Sequence, residues 1–112
     1  METEWLLSRK IAFRSMSRHF AGWKLRQFVL NTATGILEVR TPDNMKTTII
    51  DLKMRTVSMG RHDYASRDDH WLWLRYFDVE ENCPKEIVMK FNDIDIFNRW
   101  ERVRTFHIDY PH

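Results

Sequence analysis

The hydrophobic period of this 112-residue chain changes once, close to residue 92. Before that point apolar residues alternate with polar ones or form short β-branched runs, which is typical of β-strands. Beyond it, Ile96, Trp100 and Val103 recur at the spacing i, i+4 and i+7, which predicts one amphipathic helix of about 14 residues. We expect Asn92 to be its N-cap, because asparagine can accept hydrogen bonds from the first turn. Few architectures combine many short strands with a single terminal helix.

The strands themselves can be placed from alternation and from turn-forming residues. The sequence predicts seven of them, over residues 4–11, 23–31, 36–41, 47–52, 55–59, 70–79 and 86–91. Residues 14–22 and 61–69 are polar and are predicted to be loops. Apolar side chains occupy both faces of residues 70–79, which predicts a strand covered on both sides.

Together these elements predict a mostly β fold. Seven antiparallel strands and a terminal helix suggest a bent sheet or a partly open barrel whose open end is plugged by the helix, with Trp100 as the plugging side chain. The length fits one domain spanning residues 1–112. A hydrophobic content of 43% and a charged content of 30% are those of a chain with a core of its own.

Several classes of protein are disfavoured by what the sequence contains. Cys83 is the one cysteine, so an internal disulfide is excluded, and no apolar run approaches the ~20 residues of a membrane span. These features lead us to expect a cytoplasmic location. We predict neither catalysis nor a cofactor or metal, because the polar cluster in residues 62–70 (His62, Asp63, Asp68, Asp69, His70) lacks any known ligand spacing.

The positive charge is concentrated near the N-terminus. Between Trp5 and Leu37 there is no acidic residue, while six are basic: Arg9, Lys10, Arg14, Arg18, Lys24 and Arg26. Such a segment suits an anionic partner, namely a phosphate, a lipid surface, a nucleic acid or an acidic protein. The alternative is a solvated basic face without a specific ligand.

Four segments of the chain resemble those of pleckstrin-homology domains. Residues 22–30, Gly-Trp-Lys-Leu-Arg-Gln-Phe-Val-Leu, resemble the family's second strand, whose pattern is Trp-Lys-x-Arg-x-Phe-Val-Leu. Residues 4–7 resemble its first strand and residues 48–52 its fourth, while Trp100 stands where the family helix carries a tryptophan. The resemblance implies a seven-stranded antiparallel, partly open barrel of two bent sheets, capped by the C-terminal helix. It also implies a domain taken from a longer signalling or cytoskeletal protein.

The resemblance further implies a phosphoinositide headgroup site between the first two strands, formed by Lys10, Lys24 and Arg26. Ser8 stands where members that bind phosphoinositides carry their first lysine. Because side chains alternate along a strand, Lys10 should point the same way as Ser8, and Arg9 the opposite way. Further basic residues that could widen the site are Arg9, Arg14 and Arg40.

Two functional hypotheses follow from these residues. The first is a peripheral module that binds anionic phospholipid headgroups, with Phe13, Met16 and Phe20 either dipping into the bilayer or packing as core. The alternative is a protein-interaction domain that needs little or no lipid. Nucleic acid is a less favoured partner, because apolar residues on both faces of residues 70–79 indicate core packing and not a stacking platform.

Overall fold

In the computed structural model eight strands and one C-terminal helix are described. The structure describes residues 1–14, 17–20, 22–62 and 70–108, and of Arg14 and residues 17–20 it describes the backbone alone. The strands are β1 (Glu2–Arg14), β2 (Ser17–Phe20), β3 (Lys24–Asn31), β4 (Ile36–Arg40), β5 (Thr47–Asp51), β6 (Ser58–Arg61), β7 (His70–Asp78) and β8 (Cys83–Phe91). Helix α1 (Ile94–Val103) continues directly into a π-helical turn, Arg104–Ile108.

Seven of the strands form one curled, antiparallel half-barrel sheet in the order β5-β4-β3-β1-β8-β7-β6. The long strand β1 joins its two halves, because residues 2–8 pair with β3 and residues 7–12 pair with β8. The predicted fold class is therefore confirmed. Strand β2 lies off this path and pairs with the far end of β1, in register Ile11↔Phe20.

One face of the sheet, which we call the inner face, packs against the helix and forms the core. Trp100 is 1% exposed and meets the ring of Phe28 edge-on, with the two ring centroids 6.4 Å apart. Phe97 and Val103, from the same side of the helix, are buried in the same cluster. The prediction that Trp100 plugs the barrel is confirmed.

The turns explain why the strands end where they do. Gly35, in the β3–β4 turn, has φ +73°, a left-handed conformation that glycine adopts without a steric penalty. The side chain of Asn31 accepts hydrogen bonds from the backbone N–H groups of Ala33 and Thr34 and so closes this turn.

Some local predictions were wrong. Residues 17–20 were predicted as loop but form β2. The strand expected over residues 55–59 is β6, which begins at Ser58 and ends at Arg61. The N-cap of α1 is Asp93 and not Asn92, since the Asp93 carboxylate accepts from the N–H groups of Asp95 and Ile96 at 2.8 and 3.3 Å.

The outer face of β7 is also less covered than predicted. Leu72 and Leu74 are fully buried on the inner face, but Phe77 and Val79 on the other side are 40% and 82% exposed. The helix covers the inner face only, so the outer face toward the end of β7 has nothing packed over it among the described residues.

Candidate anion-binding cleft

The pairing of β1 with β3 brings the predicted basic residues together. Ser8 lies opposite Lys24 and Leu6 lies opposite Arg26, while Lys10 lies two residues further along β1. Residues two apart on a strand project from the same face, so all four polar side chains lie on the inner face, beyond the buried Leu6. The alternation prediction for Ser8 and Lys10 is confirmed.

These side chains line a cavity of about 200 Å³, which we call the cationic cleft. Its lining residues are Ser8, Lys10, Gly22, Lys24, Arg26, Val39, Thr41, Lys46, Thr48 and Ile87. Four of them are cations, three carry hydroxyl groups and none is a carboxylate. The arrangement therefore offers several positive donors to one anionic ligand.

Three of the four cations of the cleft form no ion pair within the described part of the chain. No carboxylate there forms an ion pair with Lys24, Arg26 or Lys46. Asp43, which is exposed, is close enough to Arg26 for their charges to interact. Hydrogen bonds from the Thr41 hydroxyl and the Met45 N–H, together with the charge of Arg26, hold the pKa of Asp43 below its usual range.

Lys10 is the most enclosed of the four cations. Burial lowers the pKa of its ammonium group, and the nearby positive charge of Lys85 lowers it further. The carboxylates of Asp78 and Glu81 act in the opposite direction but do not cancel these effects. Lys10 is therefore held in a site where its positive charge is costly for the folded protein, and an external anion would relieve that cost.

The adjacent Lys85 has counter-ions of its own. The residue is 5% exposed, and its ammonium nitrogen lies 2.5 Å from Asp78 Oδ2 and 2.9 Å from Glu81 Oε2. Burial alone would lower the pKa of Lys85, but these two hydrogen bonds raise it overall, and the bond from Lys85 holds the pKa of Asp78 below its usual range. Lys85 is thus satisfied internally, unlike the cations of the cleft.

The other predicted basic residues do not join the cleft. Arg9 points to the outer face, where its guanidinium carbon lies 5.0 Å from the ring centroid of Trp23. Arg40 also lies outside the cleft and pairs with Glu38 at 2.7 Å. The side chain of Arg14 lies outside the described residues, as do those of Met16 and Phe20, while Phe13 is half-buried.

Sequence reasoning missed Lys46, Thr41 and Thr48, which supply the wall of the cleft opposite β1. Lys46 stands directly before β5 and receives a hydrogen bond from the N–H of Thr41 at its carbonyl, 3.1 Å away. The sequence contained one usable signal, because a hairpin between the predicted strands at 36–41 and 47–52 places residues 41 and 46 side by side.

The polar cluster of residues 62–70 can be followed only at its two ends. His62 meets Trp71 edge-on and His70 packs against Phe97 of the helix, with ring centroids 5.2 and 5.1 Å apart. Asp63, Asp68 and Asp69 lie outside the described residues. Among the residues that the structure describes, no group of three or more metal-ligating side chains converges.

Comparison with known proteins gives no relative on which to build. No protein-family model matches the chain, and a search of curated proteins gives no significant match. Within the described ranges, no helix combines the length and hydropathy that crossing a membrane would require. The proposed function therefore depends on the residues of the cationic cleft.

Proposed function

We propose that this chain is a non-catalytic module that attaches to anionic membranes by binding phosphoinositide headgroups in the cationic cleft. The observation that carries the proposal is the convergence of Lys10, Lys24, Arg26 and Lys46 on one cavity without a carboxylate in its lining. Several cations that line one cavity without a carboxylate among them form a surface suited to an anion.

The chemistry of the lining suits a ligand that carries more than one phosphate. Lys24 and Arg26 are two residues apart on one strand, so their side chains start about 6–7 Å apart. Arginine can bind a phosphate with two parallel hydrogen bonds and lysine as a point charge, while the hydroxyl of Thr48 can donate to a further oxygen. An inositol ring with phosphates on neighbouring carbons presents its oxygens over such a span.

The resemblance of residues 22–30 to the second strand of pleckstrin-homology domains supports the same interpretation. That segment is β3 together with the two residues before it, and it supplies both Lys24 and Arg26. The proposal accordingly includes a peripheral membrane role for the chain, with the mouth of the cleft facing the lipid surface.

The test is sedimentation with phosphatidylcholine vesicles, with and without phosphoinositide. The wild type should bind only the vesicles that contain phosphoinositide, and the double variant Lys24→Glu/Arg26→Glu should lose this binding. The matched control is Arg55→Glu/Arg102→Glu, which changes the net charge equally at two exposed positions outside the cleft. Equal loss in both double variants, or loss in neither, would contradict the proposal.

A second arm distinguishes a membrane lipid from a free phosphate compound. Soluble inositol trisphosphate should compete with the vesicles at micromolar to millimolar concentration, whereas inorganic phosphate at the same concentration should not. If inorganic phosphate competes equally well, the cleft is a general anion site and the headgroup assignment is wrong.

A further inference from the structure

Strand β5 forms one edge of the sheet. The hydrogen bonds of the β4–β5 hairpin show which backbone groups of β5 point toward that edge. The N–H of Thr41 bonds to the carbonyl of Lys46, and the N–H of Leu52 bonds to the carbonyl of Gly35, at 3.1 and 3.0 Å. Hydrogen-bonded and non-hydrogen-bonded residue pairs alternate along an antiparallel ladder. Between these two bonded pairs, the pairs Arg40–Thr47 and Glu38–Ile49 are therefore non-hydrogen-bonded. The N–H and C=O groups of Thr47 and Ile49 therefore point away from β4, toward the open edge.

These outward backbone groups have no partner within the described part of the chain. The opposite edge of the sheet is different. Arg61 of β6 holds Glu101 of the helix through two hydrogen bonds of 2.6 and 2.8 Å, and the π-helical turn lies against the same strand. Proteins usually cover, shorten or charge a strand edge, because an open edge is a template for another strand.

The open edge of β5 also borders a cavity of about 290 Å³, which we call the edge cleft. It is lined by Thr47, Thr48, Ile49, Tyr76, Phe77, Asp78, Val79 and Glu80. Ile49 is 66% exposed, and it shares this cavity with Phe77 and Val79, the two apolar residues that the fold leaves uncovered at the end of β7. A free backbone edge and an apolar wall thus face the same space.

The charges of the edge cleft are of one sign. Its ionised side chains are the carboxylates of Asp78 and Glu80, and its lining contains no cation. Asp78 is already paired with Lys85, whereas no described cation pairs with Glu80. A ligand that complements this surface carries a positive charge beside an apolar group.

We propose that the edge cleft binds an extended, basic and apolar segment of a partner protein, which adds to β5 as a further strand. The backbone of that segment would bond to the outward groups of Thr47 and Ile49, one apolar side chain would contact Ile49 and Phe77, and a neighbouring lysine or arginine would pair with Glu80. The edge cleft shares Thr48 with the cationic cleft, but its charges are of the opposite sign, and it does not depend on the lipid-binding proposal.

A second copy of this chain is a poorer occupant on charge grounds. Its own β5, Thr-Thr-Ile-Ile-Asp, has Asp51 as its one charged residue and no cation to set against Glu80.

The experiment is selection from a phage-displayed library of random peptides about ten residues long, which is enough for one strand. We expect enrichment of peptides in which apolar residues alternate with lysine or arginine. The decisive variant is Ile49→Pro, because a proline there removes an outward N–H without removing a bond to β4, and edge strands tolerate this. The selected peptides should bind this variant at least about tenfold more weakly.

Two further variants separate the contributions to binding. Ile49→Val is the matched control, since it keeps both the N–H and the β-branched side chain, and it should bind as the wild type does. Glu80→Lys should weaken the basic peptides about fivefold. Thermal melting of each variant checks the fold, and if Ile49→Pro does not fold, Thr47→Pro removes the other outward N–H at the first residue of the strand.

The outcomes divide clearly. Loss of binding in Ile49→Pro and its retention in Lys24→Glu/Arg26→Glu support the proposal. It is overturned if no peptide is enriched, or if the enriched peptides bind Ile49→Pro unchanged. Self-association of the wild type that disappears in Ile49→Pro would also overturn it, because the occupant would then be a second copy.

Discussion

Replacing Lys46 by methionine should weaken binding to phosphoinositide vesicles, whereas the same replacement of Arg9 should leave it unchanged. Both residues are basic, but only Lys46 lines the cationic cleft. Arg9 lies on the outer face against Trp23. Methionine keeps an apolar stem of similar length at each position, so the comparison isolates the position of the charge from the packing of the side chain.

The size of the effect follows from the number of charges that face the lipid. A basic residue close to an anionic membrane surface contributes ~1 kcal/mol, which corresponds to about a fivefold change in affinity. We therefore expect Lys46→Met to weaken binding about fivefold. Lys24→Met combined with it should weaken binding by about 30-fold, provided that the two charges contribute independently. Arg9→Met should stay within about twofold of the wild type.

The assay is vesicle sedimentation or surface plasmon resonance on immobilised vesicles at physiological salt, repeated at high salt. The fivefold difference should shrink at high salt, because mobile ions screen the attraction between the lysine and the headgroups. If Arg9→Met and Lys46→Met weaken binding equally, binding follows the overall positive charge of the N-terminal third, and the assignment of the cleft is refuted.

Three further predictions concern stability and can be checked by urea unfolding. Gly60→Ala should cost about 1–3 kcal/mol, because an added Cβ would lie 2.5 Å from Cζ2 of Trp73. Asp78→Asn should cost about 1–2 kcal/mol at neutral pH, and this difference should vanish in acid. The hydrogen bond from Lys85 lowers the pKa of Asp78, so its contribution is present above the ordinary carboxyl pKa and is lost as the pH falls through the lowered one. Lys10→Met should instead stabilise the protein, by on the order of 1 kcal/mol at neutral pH. Burial lowers the pKa of Lys10, so the folded state disfavours its charge, and the gain should diminish as the pH rises through that lowered value; a loss of stability on this replacement would contradict the reasoning.

The main strands and the helix could be predicted because each buries one face, so apolar residues recur in its sequence with the period of that element. Strand β3 is the clearest case, since Phe28 and Leu30 alternate with residues of the other face. Strand β2 shows no such apolar pattern, because Ser17–Phe20 is mostly polar and pairs with β1 through backbone hydrogen bonds. The exposure of Val79 could not be predicted either, since an apolar residue at a strand end does not reveal whether another element covers it.

Part of the cationic cleft was predictable for the same reason. Alternation along β1 and β3 is sufficient to place Lys10, Lys24 and Arg26 on one face and Arg9 on the other. The contribution of Lys46 depends on how far the sheet curls between β3 and β5, which are separated by β4. Curling is a property of the whole sheet and of the helix packed inside it, so no local pattern records it.

The inner face changes character along each strand, always toward the same end of the barrel. On β1 it passes from the buried Leu6 to Ser8 and Lys10, and on β3 from the buried Phe28 to Arg26. The helix accounts for this change, because its large apolar side chains fill only one end of the half-barrel. Residues beyond their reach do not pack against the helix, so polar side chains can be accommodated at the open end where they find hydrogen bonds or solvent.

Physical chemistry alone does not require that the basic residues at this end form no ion pairs. The strand β8 makes the same change from apolar to polar, and its Lys85 is neutralised by Asp78 and Glu81. A fold that needed only solubility at its open end could have paired Lys24 and Lys46 in the same way. Within the described chain they are not paired, and Lys10 beside them keeps its charge at a cost to stability. Uncompensated charge at one end of a well-packed barrel is the pattern expected where stability is given up for binding, which is why we place the function at the cleft and not at the core.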